Sequence, residues 1–241
     1  MKDVPPLREE TLDPADWEPL RALASRIVAD AVDYTRDVRE RPVWRDMPPD
    51  TRARFQTPAP RNGRPLAEVY DDLVTHMLPY PMGNTHPRFW MWYMGAGNFT
   101  GALGDFLAAI LGSNLGGGDH AAAEIDKQVV GWLKEMLGYP SQASGTLVSG
   151  GSMANLIGLT VARNQMAGID MRELGVGALR TPMRFYGSDQ MHSCHQIAVE
   201  AMGLGNRALR RVPTDAACRM NVAALRMMVA EDRSAGLGPA C

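Results

Sequence analysis

From Gly145 to Gly236 the sequence alternates between two kinds of segment, and this alternation restricts the fold more than any other feature. Three short runs, GTLVSGG, RFYGS and NRALRRVPTD, read as strands. Each is followed by a longer segment with helical spacing: SMANLIGLTVARNQMAG, MHSCHQIAVEAMGL and NVAALRMMVAEDRSAG. Asn221 opens the last of these and Gly236 closes it. Strands alternating with helices form βα units, and βα units give a parallel sheet. After Gly236 the alternation calls for another strand, and the closing LGPAC does not read as one. The sheet is therefore expected to leave an apolar edge uncovered, and the chain to associate rather than stay a monomer.

The earlier part of the chain reads differently. Residues 15–40 place Leu20, Leu23, Ile27, Val28 and Ala31 at helical spacing with charges between them, and Pro42 stops that helix. Residues 42–65 carry Pro42, Pro48, Pro49, Pro58, Pro60 and Pro65 and are expected to form an irregular connector. RPLAEVYDDLVTHML, GALGDFLAAILGSN and AAAEIDKQVVGWLKEMLG read as helices, the last ended by Gly138. YPMGNTHPRFWMWYMGAGNFTG, between the first two, is crowded with aromatics; Trp90, Trp92 and Tyr93 either line a pocket or form core. This organisation divides the chain into residues 1–78, a helical segment with its connector, and residues 79–241, the beginning of a larger α/β domain.

Composition excludes several function classes. A net charge of -2 and a pI near 6.2 give no basic footprint for nucleic acid. No apolar run reaches the roughly 18 residues of a membrane span. The start, MKDVPPLREETLDP, has no signal-peptide core. The three cysteines, Cys194, Cys218 and Cys241, are too widely spaced for a CxxC site and too few for a disulfide framework. Together these point to a reduced, cytoplasmic protein.

LVSGGSMAN, residues 147–155, is a strand-to-helix turn broken at two glycines. The first N–H groups of a helix lack intrahelical acceptors and its dipole favours an anion there. Gly150 and Gly151 allow close backbone approach, and Ser152 adds a hydroxyl. The turn is either a phosphate or carboxylate cradle or a plain loop. No lysine follows in the Walker pattern, and GxGxxG is absent, which argues against ATP and NAD. YGSDQMHSCH, residues 186–195, would open the next helix at the same rim, with His192 in its first turn. That imidazole could stack on a flat ring, transfer a proton, or only cap its helix from a partly buried position. Cys194 beside His195 suggests a thiol nucleophile, but neighbours in a helix do not face each other. Asp119 and His120, next to three glycines, read as a flexible turn rather than a metal pair, and the other histidines are not at zinc spacing.

THPRFW (85–90), GGGDH (116–120), VVGWLKEMLG (129–138), LVSGGSMANLIGLTVARN (147–164), YGSDQMHSC (186–194) and the run from RRVPTD to GLGP (210–239) occur in this order. The set resembles the group II pyridoxal-phosphate-dependent decarboxylases, which include the aromatic-amino-acid decarboxylases. The resemblance runs from about residue 15 to the last residue. It implies an aspartate-aminotransferase-type PLP-dependent transferase fold, pyridoxal 5'-phosphate as cofactor, an amino acid substrate and an intertwined homodimer. Residues 1–78 would pack across that dimer, and residues 79–241 would begin the PLP-binding large domain. Gly151 and Ser152 match the family's phosphate turn, His192 its ring-stacking histidine, and Tyr93, Met94, Gly95 and Ala96 a loop lining the substrate pocket.

The sequence also departs from the family. The cofactor needs a lysine for its covalent link. The three lysines here are Lys2, in the polar start, and Lys127 and Lys134, seven apart on one helix as solvated residues are. None matches the family's Schiff-base lysine, which lies further downstream, as does the aspartate that pairs with the ring nitrogen. Ala96 stands where the family usually carries a hydroxyl residue. The resemblance therefore implies the N-terminal portion of a decarboxylase, inactive alone and completed by a C-terminal chain or continuation. The alternatives are a non-catalytic assembly module, or another PLP-dependent lyase or aminotransferase of the same fold.

Overall fold

The computed structural model describes residue 11 and residues 13–241, so Lys2 and the polar start lie outside the described residues. The chain divides into two compact units, one ending at Ser113 and one running Asn114–Cys241.

In the first unit, α1 spans Glu18–Arg36, with Pro19 in its first turn where a missing N–H costs nothing. It ends earlier than its pattern suggests, and a short 3-10 turn, Val38–Glu40, carries the chain to Pro42. The expected irregular connector contains a helix, α2, Pro49–Arg54. The same asymmetry explains it: Pro48 precedes the helix and Pro49 takes its first position, so the prolines start this helix instead of breaking it. α3 is Leu66–His76 and α4 is Phe99–Leu111. Asn98 caps α4, its Oδ1 accepting from the Gly101 N–H at 2.7 Å.

Few residues of this unit are buried. Tyr70 of α3 packs on α1, donating its hydroxyl to Asp30 Oδ2 at 2.8 Å beneath the Arg26 guanidinium. Burial, and then the Asp30 carboxylate, push the Tyr70 phenol above its ordinary pKa. α4 is apolar almost throughout, yet Phe106, Leu107, Ile110 and Leu111 are all exposed.

The second unit opens with α5, Ala121–Met136, and α6, Gly151–Met166, then a single turn, α7, Met171–Leu174. β1 (Met183–Ser188), α8 (Cys194–Ala201), β2 (Leu209–Val212), α9 (Val222–Ser234) and β3 (Gly238–Pro239) complete it. Asn221 caps α9 by accepting from the Ala224 N–H. α5 and α9 end identically. Gly138 and Gly236 adopt positive φ, and paired backbone bonds (Gly138 to Glu135 and Tyr139 to Lys134; Gly236 to Arg233 and Leu237 to Asp232) close each last turn.

The strands form a parallel sheet in the order β2-β1-β3. Two expectations are corrected here. First, LVS in residues 147–149 pairs with no strand among the described residues. Second, the strand expected to be missing after Gly236 is present in short form. Gly238 and Pro239 pair with Met183 and Arg184, and the ladder extends through Ala240 N–H to Arg184 O and Tyr186 N–H to Cys241 O, both 2.8 Å. Glycine and proline hide this strand from a propensity reading, but at a sheet edge they are tolerated.

Side chains alternate across β1. Met183 and Phe185 face a core with Val199 and Met202, joined by Leu156, Leu159 and Ala162 of α6. Tyr186 faces the opposite side, where it meets Asp232 of α9. Helices thus cover both faces, the arrangement that a buried parallel sheet requires. β1 is central, with its successors on either side. In open parallel sheets, ligands bind in the crevice at the carboxyl ends of such strands.

Candidate functional site

Gly150 precedes α6 at φ 91°, ψ 158°, a conformation essentially restricted to glycine. The first bond of α6 runs from the Ala154 N–H to the Gly150 carbonyl, 3.2 Å. The N–H groups of Gly151, Ser152 and Met153 therefore have no helical acceptor, and none bonds elsewhere among the described residues. A Cβ placed on Gly150 or Gly151 would meet nothing within 4 Å, so the space before the turn is open. Ser152 is exposed beside it. This set of donors on a 16-residue helix suits an anion.

The second turn leaves the carboxyl end of β1. His192 stands two residues before α8, not within its first turn, because α8 begins at Cys194. The ring Nδ1 accepts from the Cys194 N–H at 3.1 Å, and the His192 carbonyl accepts from the His195 N–H at 3.3 Å. The histidine thus caps the helix, but it is exposed, not partly buried. An accepting Nδ1 leaves the neutral ring's proton on Nε2, which bonds nothing among the described residues. His192 therefore presents a free flat face and a free N–H donor.

A side-chain bond joins the two turns. Asn155, one helical turn beyond Ser152, donates from Nδ2 to the Cys194 Sγ at 3.3 Å. On the far side of the His192 turn, Asp189 accepts from the Thr214 hydroxyl at 2.9 Å and from its N–H at 3.3 Å. These bonds, with one from Gln190, hold the Asp189 carboxyl below the usual carboxylate range, Thr214 contributing most. Tyr186, Arg210 and Asp232 form a second polar cluster behind the sheet. The buried Asp232 accepts from Tyr186 at 2.7 Å and pairs with Arg210 at 3.1 Å. Burial, with help from Asp232, pushes the Tyr186 phenol up to about 12.

Gly151, Ser152 and His192 thus share one unit and one rim. Tyr93, Met94, Gly95 and Ala96 belong to the other unit, all exposed, where Asn84 Nδ2 holds the Gly95 carbonyl at 2.8 Å. The next residues, Gly97 and Asn98, line an apolar cavity of about 430 Å³ with Ile27, Tyr34, Tyr70 and Leu73. Trp90, Trp92 and Tyr93 are exposed and form no core. Lys127 pairs with Glu124 on its own helix at 2.6 Å, and Lys134 donates to the Ser141 carbonyl in the segment after that helix at 2.8 Å. His120 bonds the Asn114 carbonyl within its turn, and no His/Cys/Asp/Glu group capable of holding a metal occurs among the described residues. Cys194 and His195 do approach, Sγ to Nδ1 at 3.7 Å, contrary to the expectation for helix neighbours, because Cys194 opens its helix.

Asn155, Asp189, Thr214 and the Tyr186–Arg210–Asp232 cluster lie within the quoted segments but were given no role from sequence. Their placement within those segments is the signal that could have pointed to them.

The fold and the two turns define a class: a parallel α/β domain with unpartnered helix N–H groups and an exposed imidazole at one rim. A family model described as a pyridoxal-dependent decarboxylase conserved domain matches residues 48–241. The chain belongs to the pyridoxal-dependent decarboxylase family. It is 32% identical over 232 residues to an aromatic-L-amino-acid decarboxylase of Bacillus atrophaeus, covering 93% of this chain and 45% of the relative. A rat aromatic-L-amino-acid decarboxylase is 29% identical, covering 93% of this chain and 49% of the relative. The crystal structure of Catharanthus roseus tryptophan decarboxylase with L-tryptophan superposes with a TM-score of 0.80 at 25% identity, covering 94% of this chain and 49% of that one. The fold is thus the aspartate-aminotransferase type. The chain spans about half the length of the curated relatives it matches.

Proposed function

We propose that this chain is the N-terminal portion of a PLP-dependent amino acid decarboxylase, a carboxy-lyase. One observation carries the reading. In a chain of this family, the α6 turn with its unpartnered N–H groups and the exposed His192 ring stand at one rim, tied by Asn155 and Cys194. The open space before Gly150 and Gly151 suits a phosphate, and the free face of His192 suits a pyridine ring.

The cofactor, when bound, supplies an electron sink for the bond to the carboxylate. This chain's residues bind and orient. The Gly151, Ser152 and Met153 N–H groups and the Ser152 hydroxyl hold the phosphate. The His192 ring keeps the cofactor plane aligned, and its Nε2–H is a donor toward the substrate carboxylate. Residues 93–96 line the substrate pocket, with the methyl of Ala96 in place of a hydroxyl. The substrate is an amino acid, and the aromatic L-amino acids named by the relatives are the first to test.

No lysine of this chain stands at the family's Schiff-base position, so a C-terminal continuation or partner chain would supply it. The chain alone is inactive. Residues 1–78 pack across a homodimer and residues 79–241 begin the PLP-binding domain; the exposed apolar surface of α4 supports association. Three unpaired cysteines, one buried, suit a reduced cytoplasmic setting.

The test joins this chain to a C-terminal half, as a continuous or co-expressed polypeptide. Pyridoxal phosphate binding and CO2 release from aromatic L-amino acids are then measured. The joined protein should do both and this chain neither. A joined, folded protein that binds no pyridoxal phosphate would overturn the reading.

A further inference from the structure

We infer that Asn155 and Cys194 form a clamp that sets the spacing and tilt between the Ser152 turn and the His192 ring, which makes both of them positioning residues. This rests on the proposed function, and it assigns a role to two residues that touch neither cofactor nor substrate there.

The connection is short. Asn155 follows Ser152 by three positions, so the two lie on one face of α6. Its amide Nδ2 donates to the Cys194 Sγ at 3.3 Å. The backbone N–H of the same Cys194 donates to His192 Nδ1 at 3.1 Å. Cys194 is 6% exposed, and α8 packs along α6, so neither partner is free to drift. Any rotation of α6 about its axis moves Ser152 and Asn155 together and pulls on the residue that holds the imidazole.

Stability alone does not explain this pair. Asparagine is a poor residue for a helix interior, and a leucine there would pack against α8 with better helix propensity. A thiol is a weak acceptor. What the pair provides is direction, because the amide meets the sulfur at one geometry whereas apolar packing tolerates sliding. His195 reinforces the same point, with Nδ1 3.7 Å from the Sγ and 2.9 Å from the His192 carbonyl.

The experiment uses the joined protein with both halves. Asn155→Leu keeps the branched shape and removes the donor; Cys194→Ala removes the acceptor; Cys194→Ser keeps one. Misplacing a reacting group by about 1 Å costs up to about 100-fold, so each of the first two variants should lower kcat by roughly 10- to 100-fold. The dissociation constant for pyridoxal phosphate should change by less than about threefold, because the phosphate donors remain. The circular dichroism band of bound cofactor, which reads ring orientation, should change shape in both. The double variant should be no worse than the worse single one, and Cys194→Ser should recover part of the loss. An Asn155→Leu protein with unchanged kcat and an unchanged band, or single effects that add in the double variant, would overturn the clamp while leaving the proposed function standing. A wild-type joined protein that binds no pyridoxal phosphate removes both. Should Asn155→Leu not fold, the contrast between Cys194→Ala and Cys194→Ser decides alone: equal losses in kcat overturn the clamp.

Discussion

The Tyr186 hydroxyl donates to the Asp232 carboxylate at 2.7 Å, joining residues 46 apart and fastening α9 to the central strand. Asp232 is 2% exposed, and its other oxygen pairs with Arg210 at 3.1 Å. Removing either partner leaves a buried carboxylate short of a donor. Tyr186→Phe should cost about 1–3 kcal/mol. Arg210→Met should cost more, about 3 kcal/mol, because a buried charge loses its cation. Thermal melts of both variants check the order; equal losses would contradict it.

The same phenol gives a pH dependence. Its pKa rises from 10.0 to about 12 in the folded state, chiefly through burial. A raised folded pKa contributes stability that is complete below the unfolded value and is lost as pH rises through the folded one. Denaturant midpoints should therefore decline between pH 10 and 12. Tyr186→Phe should flatten that part of the profile.

Asp189 titrates the opposite way. Thr214 holds its carboxyl low, so its contribution is present above the unfolded pKa and is lost as pH falls through the folded one. Thr214→Val should move the Asp189 titration upward toward an ordinary carboxylate, as read by carbonyl NMR shifts. The His192 turn, which follows Asp189, should exchange its amides faster in this variant.

Ser152 and His192 should separate in the joined protein. Losing one charge-assisted hydrogen bond of about 1.5–3 kcal/mol, Ser152→Ala should weaken cofactor binding by about one to two orders of magnitude. His192→Ala should instead reduce turnover far more than cofactor affinity. A His192→Ala protein that melts early but turns over normally would leave only the capping bond to Cys194. Gly150→Ala tests the turn itself: at φ 91°, ψ 158° a side chain costs about 1–3 kcal/mol, read as a lower melting temperature.

Borohydride treatment of this chain with pyridoxal phosphate should fix nothing specifically on Lys127 or Lys134. Stoichiometric label at either, found by peptide mass spectrometry, would contradict their engagement with Glu124 and the Ser141 carbonyl.

Where local chemistry decides the structure, the sequence was sufficient. The ends of α5 and α9 were readable because a glycine past a helix has one common use, and Asn221 because a cap needs only its own side chain. The turns that carry Ser152 and His192 were marked by motifs, although His192 falls two residues before its helix rather than in its first turn. Partners distant in sequence were not. Gly238 and Pro239 form a strand only because β1 accepts them, and Leu147 and Val148 fail to form one because no neighbour is present among the described residues. Asp232 reads as one charge among several at the end of a helix; Tyr186 and Arg210, from two strands, bury it. Asn155 reads as an ordinary polar helix residue until Cys194 is brought against it.

Phe106, Leu107, Ile110 and Leu111 of α4 stand exposed on a helix whose only charge is Asp105. In the proposed homodimer a second copy would cover them, binding the folded chain and not the unfolded one, and by mass action it would add its binding free energy to folding. In that proposed homodimer the melting temperature would be a function of protein concentration rather than a constant. Dilution would act on such a dimer as a mild denaturant, so variants compared at equal protein concentration would report the side chain's own effect.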